Sequence, residues 1–149
     1  MLALLCVLIA AATVSGVAGR ADQDSRAPQV EAAAPELFDH MLEVKALVRD
    51  LSRLAGDATK KSEALPLITE LQGHIIAAKE MAPPSAEAKP ESERPAFVLS
   101  FRKAMTELLR EVAELELDII EDRNEQAVER ITTTLIQMRD RAHEVFQAD

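Results

Sequence analysis

Tryptophan and tyrosine are missing from this chain, glycine is scarce, and cysteine occurs once. Each absence removes a class of answer. The one cysteine, Cys6, lies inside the apolar opening "MLALLCVLIAAATVSGVAGRAD". That opening fits the secretory pattern, with residues 2–14 as the apolar region and Val17-Ala18-Gly19 or Gly19-Arg20-Ala21 before the cut. It departs from the pattern in having no Lys or Arg ahead of the apolar run. It also falls short of the roughly 20 apolar residues that cross a bilayer. The expectation is a cleaved signal peptide over residues 1–21, a periplasmic mature protein, and no stable membrane insertion after cleavage. A lipid-modified cysteine follows the apolar run, whereas Cys6 sits within it. Losing residue 6 leaves no thiol, which excludes a disulfide, a cysteine metal site and a covalent haem link through Cys-x-x-Cys-His.

Basic charge is the next deficit. Against 26 acidic residues stand 17 Lys and Arg, for a formal charge of −9. This becomes −10 when Arg20, the one charge in residues 1–21, is removed. So acidic a chain lacks the basic face that nucleic acid or an anionic membrane requires. No activated nucleophile stands out, and the many carboxylates fall where solvated helix faces put them, so no enzyme activity is expected.

What remains is helix-forming material rich in Ala, Leu, Glu and Arg, about 130 residues long, the size of one domain. Residues 22–34, "DQDSRAPQVEAAA", carry no periodicity and read as a flexible N-terminal tail; the domain is taken as 35–149. Pro35 stands where a proline opens a helix, and Leu37, Met41, Val44, Val48, Leu51 and Ala55 follow at helical spacing up to Gly56. Ser62 and Glu63 open a second segment, with Pro66 in its first turn and a stripe of Ala64, Ile68, Leu71, Ile75 and Ala78. "APPSAEAKPESERP" (82–95) is the longest connection. A third stripe runs through Phe97, Phe101, Met105, Leu108, Val112, Leu115 and Ile119. After "EDRNEQ", where Asp122 or Asn124 is the candidate cap, a fourth runs through Val128, Ile131, Leu135, Met138, Ala142 and Val145. Nothing alternates as a strand would. The spacing predicts an all-α fold, an antiparallel up-down-up-down four-helix bundle.

In that topology one end of the bundle gathers the start of the first helix, the end of the second, the start of the third and the end of the fourth. Met41 lies six residues after Pro35, Phe101 six after Pro95, and His143 six before the last residue. At 1.5 Å per residue each is about 9 Å deep. Ala77 and Ala78 leave room at the same level. A thioether, an imidazole and an aromatic ring in one layer suit a flat apolar ligand. Thioether opposite imidazole is an axial pair for haem iron in electron-transfer cytochromes, which leaves no vacant iron site and implies one-electron transfer. With no cysteine the haem is b-type, one per chain, with six-coordinate iron. For either residue alone, core filler (Met41) or a solvated side chain (His143) is the commoner role.

From Pro35 to Gln147 the chain resembles the cytochrome b562 family, itself a standard up-down-up-down bundle. The resemblance rests on the methionine of "LFDHMLEV", Pro83-Pro84 after the second helix, "SFRKAM" in the third, and the Arg-x-x-x-His of "RDRAHEVF". It implies Met41 and His143 as axial ligands and Phe101 against the haem face. It puts Met105 in the same wall, where the family carries an aromatic, and makes Arg139 the partner of a haem propionate or else a solvated charge. The implied protein is a periplasmic electron carrier, monomeric, serving redox partner proteins that the sequence does not identify. Two features depart from the family: a longer N-terminal tail and no tyrosine near the C-terminal ligand. His40 is a ligand only if the first helix is rotated, and His74 reads as a core-edge residue. Two other readings stand beside this one. The first is a haem-free exported helical bundle acting by protein–protein contact. The second is copper binding through Met and His side chains.

Overall fold

A computed structural model describes residues 33–146, so the leader, nearly all of the N-terminal tail and residues 147–149 lie outside the described residues. All regular structure among the described residues is helical. Helix α1 spans Ala33–Leu54, α2 Lys61–Lys79 and α3 Arg94–Ile120. Helix α4, residues 124–146, is built of three consecutive stretches: Asn124–Glu129, a π-helical Arg130–Leu135, and Ile136–Phe146. None of these helices is long and apolar enough to cross a membrane.

Local chemistry explains the boundaries. Helix α1 starts two residues ahead of Pro35, which therefore sits in the first turn, where its missing N–H costs no bond. A one-turn 3-10 segment, Ala58–Lys60, leads into α2, capped by Asp57, whose carboxylate accepts from the Thr59 amide at 2.9 Å and its hydroxyl at 2.7 Å. Helix α2 thus begins at Lys61, ahead of Ser62. Pro66 then lies beyond the first turn, where it forgoes one backbone bond while its ring faces solvent. A second 3-10 turn, Pro84–Ala86, folds the long connection inward and buries Ser85 and Ala86. Arg94 ties the rest of that connection down, donating to the carbonyls of Lys89 (3.0 Å) and Glu87 (3.2 Å). Asp122, at φ 58°, ends α3: the Arg123 amide reaches back to the Asp118 carbonyl at 2.8 Å, the long bond of a left-handed helix terminus.

The core follows the predicted stripes most closely in α2, where Ala64, Ile68, Leu71, Ile75 and Ala78 are all buried. Helix α2 packs against both α1 and α3, so its apolar stripe is covered on two flanks. In α1, Leu47 joins Leu37, Val44, Leu51 and Ala55 inside, while Met41 and Val48 are half-buried. In α4 the stripe shifts: Ala127 is buried instead of Val128, and Phe146 turns inward in place of exposed Val145. The wide π turn between them resets the angular phase. Thr132 contributes by donating its hydroxyl to the Val128 carbonyl at 2.8 Å, competing for an acceptor the regular helix would use. Between helices, His40 meets His74, Glu80 meets Arg102, Gln72 meets Glu116, and Lys61 reaches the Ile120 carbonyl.

Candidate functional site

A compact apolar layer occupies the part of the molecule where α1 starts. Leu37 of α1, Ala78 of α2, and Phe101 and Met105 of α3 form a buried cluster separate from the main core. Met41, Met81, Leu108 and Phe146 pack around it. Met41 borders the main core as well, so its thioether stands half-buried between the two clusters. Phe146 seals the layer from α4, with its ring 5.3 Å from Phe101 edge-on and 5.4 Å from Phe97. Its carbonyl accepts from the hydroxyl of buried Ser85 at 2.6 Å, which fixes the last turn of α4 to the folded connection.

Three of the five residues singled out from sequence therefore come together: Met41, Phe101 and Met105. The other two do not join them. His143 is exposed, one turn before Phe146, on the flank of the inward stripe. Arg139 is exposed and directed at its neighbour Asp140, at 2.6 and 2.9 Å. Ala78 lies buried in the cluster, and Phe146 and Met81 pack against that cluster, as apolar interiors close to near-crystalline packing density. Helix α1 packs on α4 chiefly along the π stretch. The final stretch, Ile136–Phe146, packs instead on α3 and the Pro84–Ala86 turn. Phe38 and Leu42 of α1 and Val145 of α4 are left exposed at 63%, 46% and 52%. These are large apolar side chains left unburied on the two helices that carry Met41 and His143.

Two further clusters were not anticipated. His40 and His74 place their Nδ1 atoms 2.9 Å apart, half-buried between α1 and α2. Asp118 on α3 is 2% exposed and holds two arginines. Arg123 lies at 2.7 Å from one of its oxygens and Arg130 at 2.8 Å from the other, and Arg130 also reaches Glu111 at 2.7 Å. Burial pushes the Asp118 carboxyl up, but hydrogen bonds and charge from Arg130 and Arg123 outweigh it and hold the group below its ordinary range. Among the described residues no three or more His, Cys, Asp or Glu side chains converge on a point that would take a metal ion. A shallow open groove between Gly56 and the first turns of α4 is lined by Asn124, Val128 and Thr132, with no charge of basic sign.

No protein-family model matches the chain, and no curated protein or solved structure matches it either.

Proposed function

We propose that this protein is an exported, periplasmic electron carrier of cytochrome b562 type that holds one haem b in an antiparallel up-down-up-down bundle. The observation that carries the reading is the half-buried Met41 thioether in an apolar layer with Phe101 and Met105, sealed by a residue one turn from His143. The topology is supported by pairings of helix starts with helix ends: His40 with His74, Arg102 with Glu80, and Lys61 with the Ile120 carbonyl. Export rests on the leader-like residues 1–21.

The donor set fits haem in kind. A soft thioether and an imidazole stand near one end of the molecule, on two helices that are not closely packed against each other there. Met41 and His143 would hold the iron once Phe146 leaves the layer and the exposed His143 turns inward; Phe101 and Met105 would line the ring, and Arg139, here paired with Asp140, would answer a propionate. Held by these residues, a haem would supply one-electron transfer. The protein's part would be to exclude water with Leu37, Phe101 and Met105 and to present the Met41 and His143 donors from helices. Its acidic surface suits a basic redox partner.

Haemin titration followed by an optical spectrum of the reduced protein tests this. The expected result is sharp α and β bands at one equivalent, lost in Met41→Ala and in His143→Ala. A folded protein that stays colourless with haemin would overturn it. One observation favours a second reading, a haem-free exported bundle acting by protein–protein contact. Phe146 already fills the layer, while Phe38, Leu42 and Leu99 expose apolar surface. Under that reading the optical titration is blank.

A further inference from the structure

The His40–His74 pair has no part in the haem reading. The two imidazoles come from residues 34 apart in sequence, each on a regular helix, and their ring centroids are 5.2 Å apart at 58°. Both present the same atom, Nδ1, to each other at 2.9 Å. Without a ligand one ring donates to the other, in a contact that is half-buried and not sealed in the core.

We infer that His40 and His74 form a two-imidazole site for a divalent late transition cation, copper(II) ahead of nickel(II) and zinc(II). The separation is the first argument. Metal–nitrogen bonds of about 2.0–2.1 Å put two nitrogens about 2.8–3.0 Å apart at a right angle, as in tetragonal geometry, and about 3.3–3.4 Å apart in a tetrahedral one. The observed 2.9 Å is the length of the hydrogen bond between the two rings and also lies within the right-angled range, so an ion taking the place of the shared proton needs little ring movement. Ligand type is the second argument. Neutral imidazole is a good donor for these ions, and divalent affinity rises to copper(II) along the first row. Rigidity is the third: α1 and α2 are packed along their length, so the second imidazole is delivered without ordering a loop. No third His, Cys, Asp or Glu converges there among the described residues, so water or an outside ligand completes the coordination and the ion exchanges readily. Met41, although adjacent in sequence, belongs to the apolar layer and is not required.

The test is a titration of the purified full chain with copper(II) alone, followed by calorimetry and electron paramagnetic resonance. One equivalent should bind, with a tetragonal signal split by two nitrogen nuclei. His40→Ala and His74→Ala should each weaken binding by more than about tenfold and leave one nitrogen. The double variant should bind little worse than either single one, because chelation is already lost. Met41→Ala and His143→Ala should bind as the parent does, which separates this site from the haem ligands. His74→Gln keeps side-chain volume and a hydrogen-bonding group, so it carries the test should an alanine variant fail to fold. Copper should also raise the melting temperature of the parent and not of His74→Gln. Unchanged copper affinity in His40→Ala and His74→Gln, or a loss seen instead in His143→Ala, would overturn the inference.

Discussion

Asp118 is the residue whose removal should cost this fold most for the fewest atoms changed. Its carboxylate is 2% exposed, with Arg123 and Arg130 at 2.7 and 2.8 Å on its two oxygens. Asp118→Asn keeps the shape and deletes the charge, so both guanidiniums face a neutral amide. Breaking a buried pair from one side costs about 3–5 kcal/mol. Two features reduce that here. Arg130 keeps Glu111 at 2.7 Å, and the Arg123 side chain is 37% exposed, so water takes over part of its solvation. The expected loss is about 2–3 kcal/mol. For a domain of roughly 110 residues, 1 kcal/mol moves the melting temperature about 4 °C, so the variant should melt about 8–12 °C lower near neutral pH. The pH dependence follows from direction. The carboxyl is held below its ordinary 3.8, so its contribution is present above that value and is lost only as pH falls through the lower folded-state value. Thermal melts by far-ultraviolet circular dichroism should therefore keep the parent–variant gap down to about pH 4 and close it in stronger acid. A gap under about 2 °C at neutral pH, or one that survives full protonation, would refute the account.

The remaining predictions concern two chain reversals, the α2–α3 connection beside the candidate site and the α3–α4 turn at the far end of α3. Ser85→Ala removes the hydroxyl that holds the Phe146 carbonyl; it should cost about 1 kcal/mol and speed amide hydrogen exchange in the last turn of α4 while leaving α2 unchanged. Asp122, at φ 58°, tolerates glycine but not a β-branched residue: Asp122→Val should lose about 1–2 kcal/mol in urea unfolding. Asp122→Gly should stay within about 0.5 kcal/mol, the left-handed turn relaxing as the exposed pair with Lys61 is lost.

Helix content and most of the core were legible because the information is local. Apolar residues at alternating steps of three and four define one face, and α2 obeyed that rule at every position. In α4 the rule failed where the helix itself changed pitch. Regular 3.6-residue spacing assigns Val128 and Val145 inward; a π turn at Arg130–Leu135 brings in Ala127 and Phe146 instead. Three consecutive threonines carry a hint of this, since β-branched residues with hydroxyls are the side chains that loosen a helix. Composition alone does not tell a loosened turn from a regular one.

The candidate site was legible in depth but not in orientation. Counting 1.5 Å per residue from each helix end put Met41, Phe101 and His143 at one depth, and Met41 and Phe101 do meet in one layer, because axial position depends only on where a helix starts. Whether a side chain faces inward depends on rotation about the axis, and the shifted phase of α4 leaves His143 on the flank while Phe146 takes the interior. The same counting contains the His40–His74 pair. A hairpin folded about residue 57, the Asp57 cap, sets residue 40 across from residue 74, so the two histidines are equidistant from the turn. Read one helix at a time, His40 is a neighbour of Met41 and His74 a core-edge residue. Only the pairing of the helices turns them into one feature, and for that reason each substitution in the copper titration has to be interpreted against its partner.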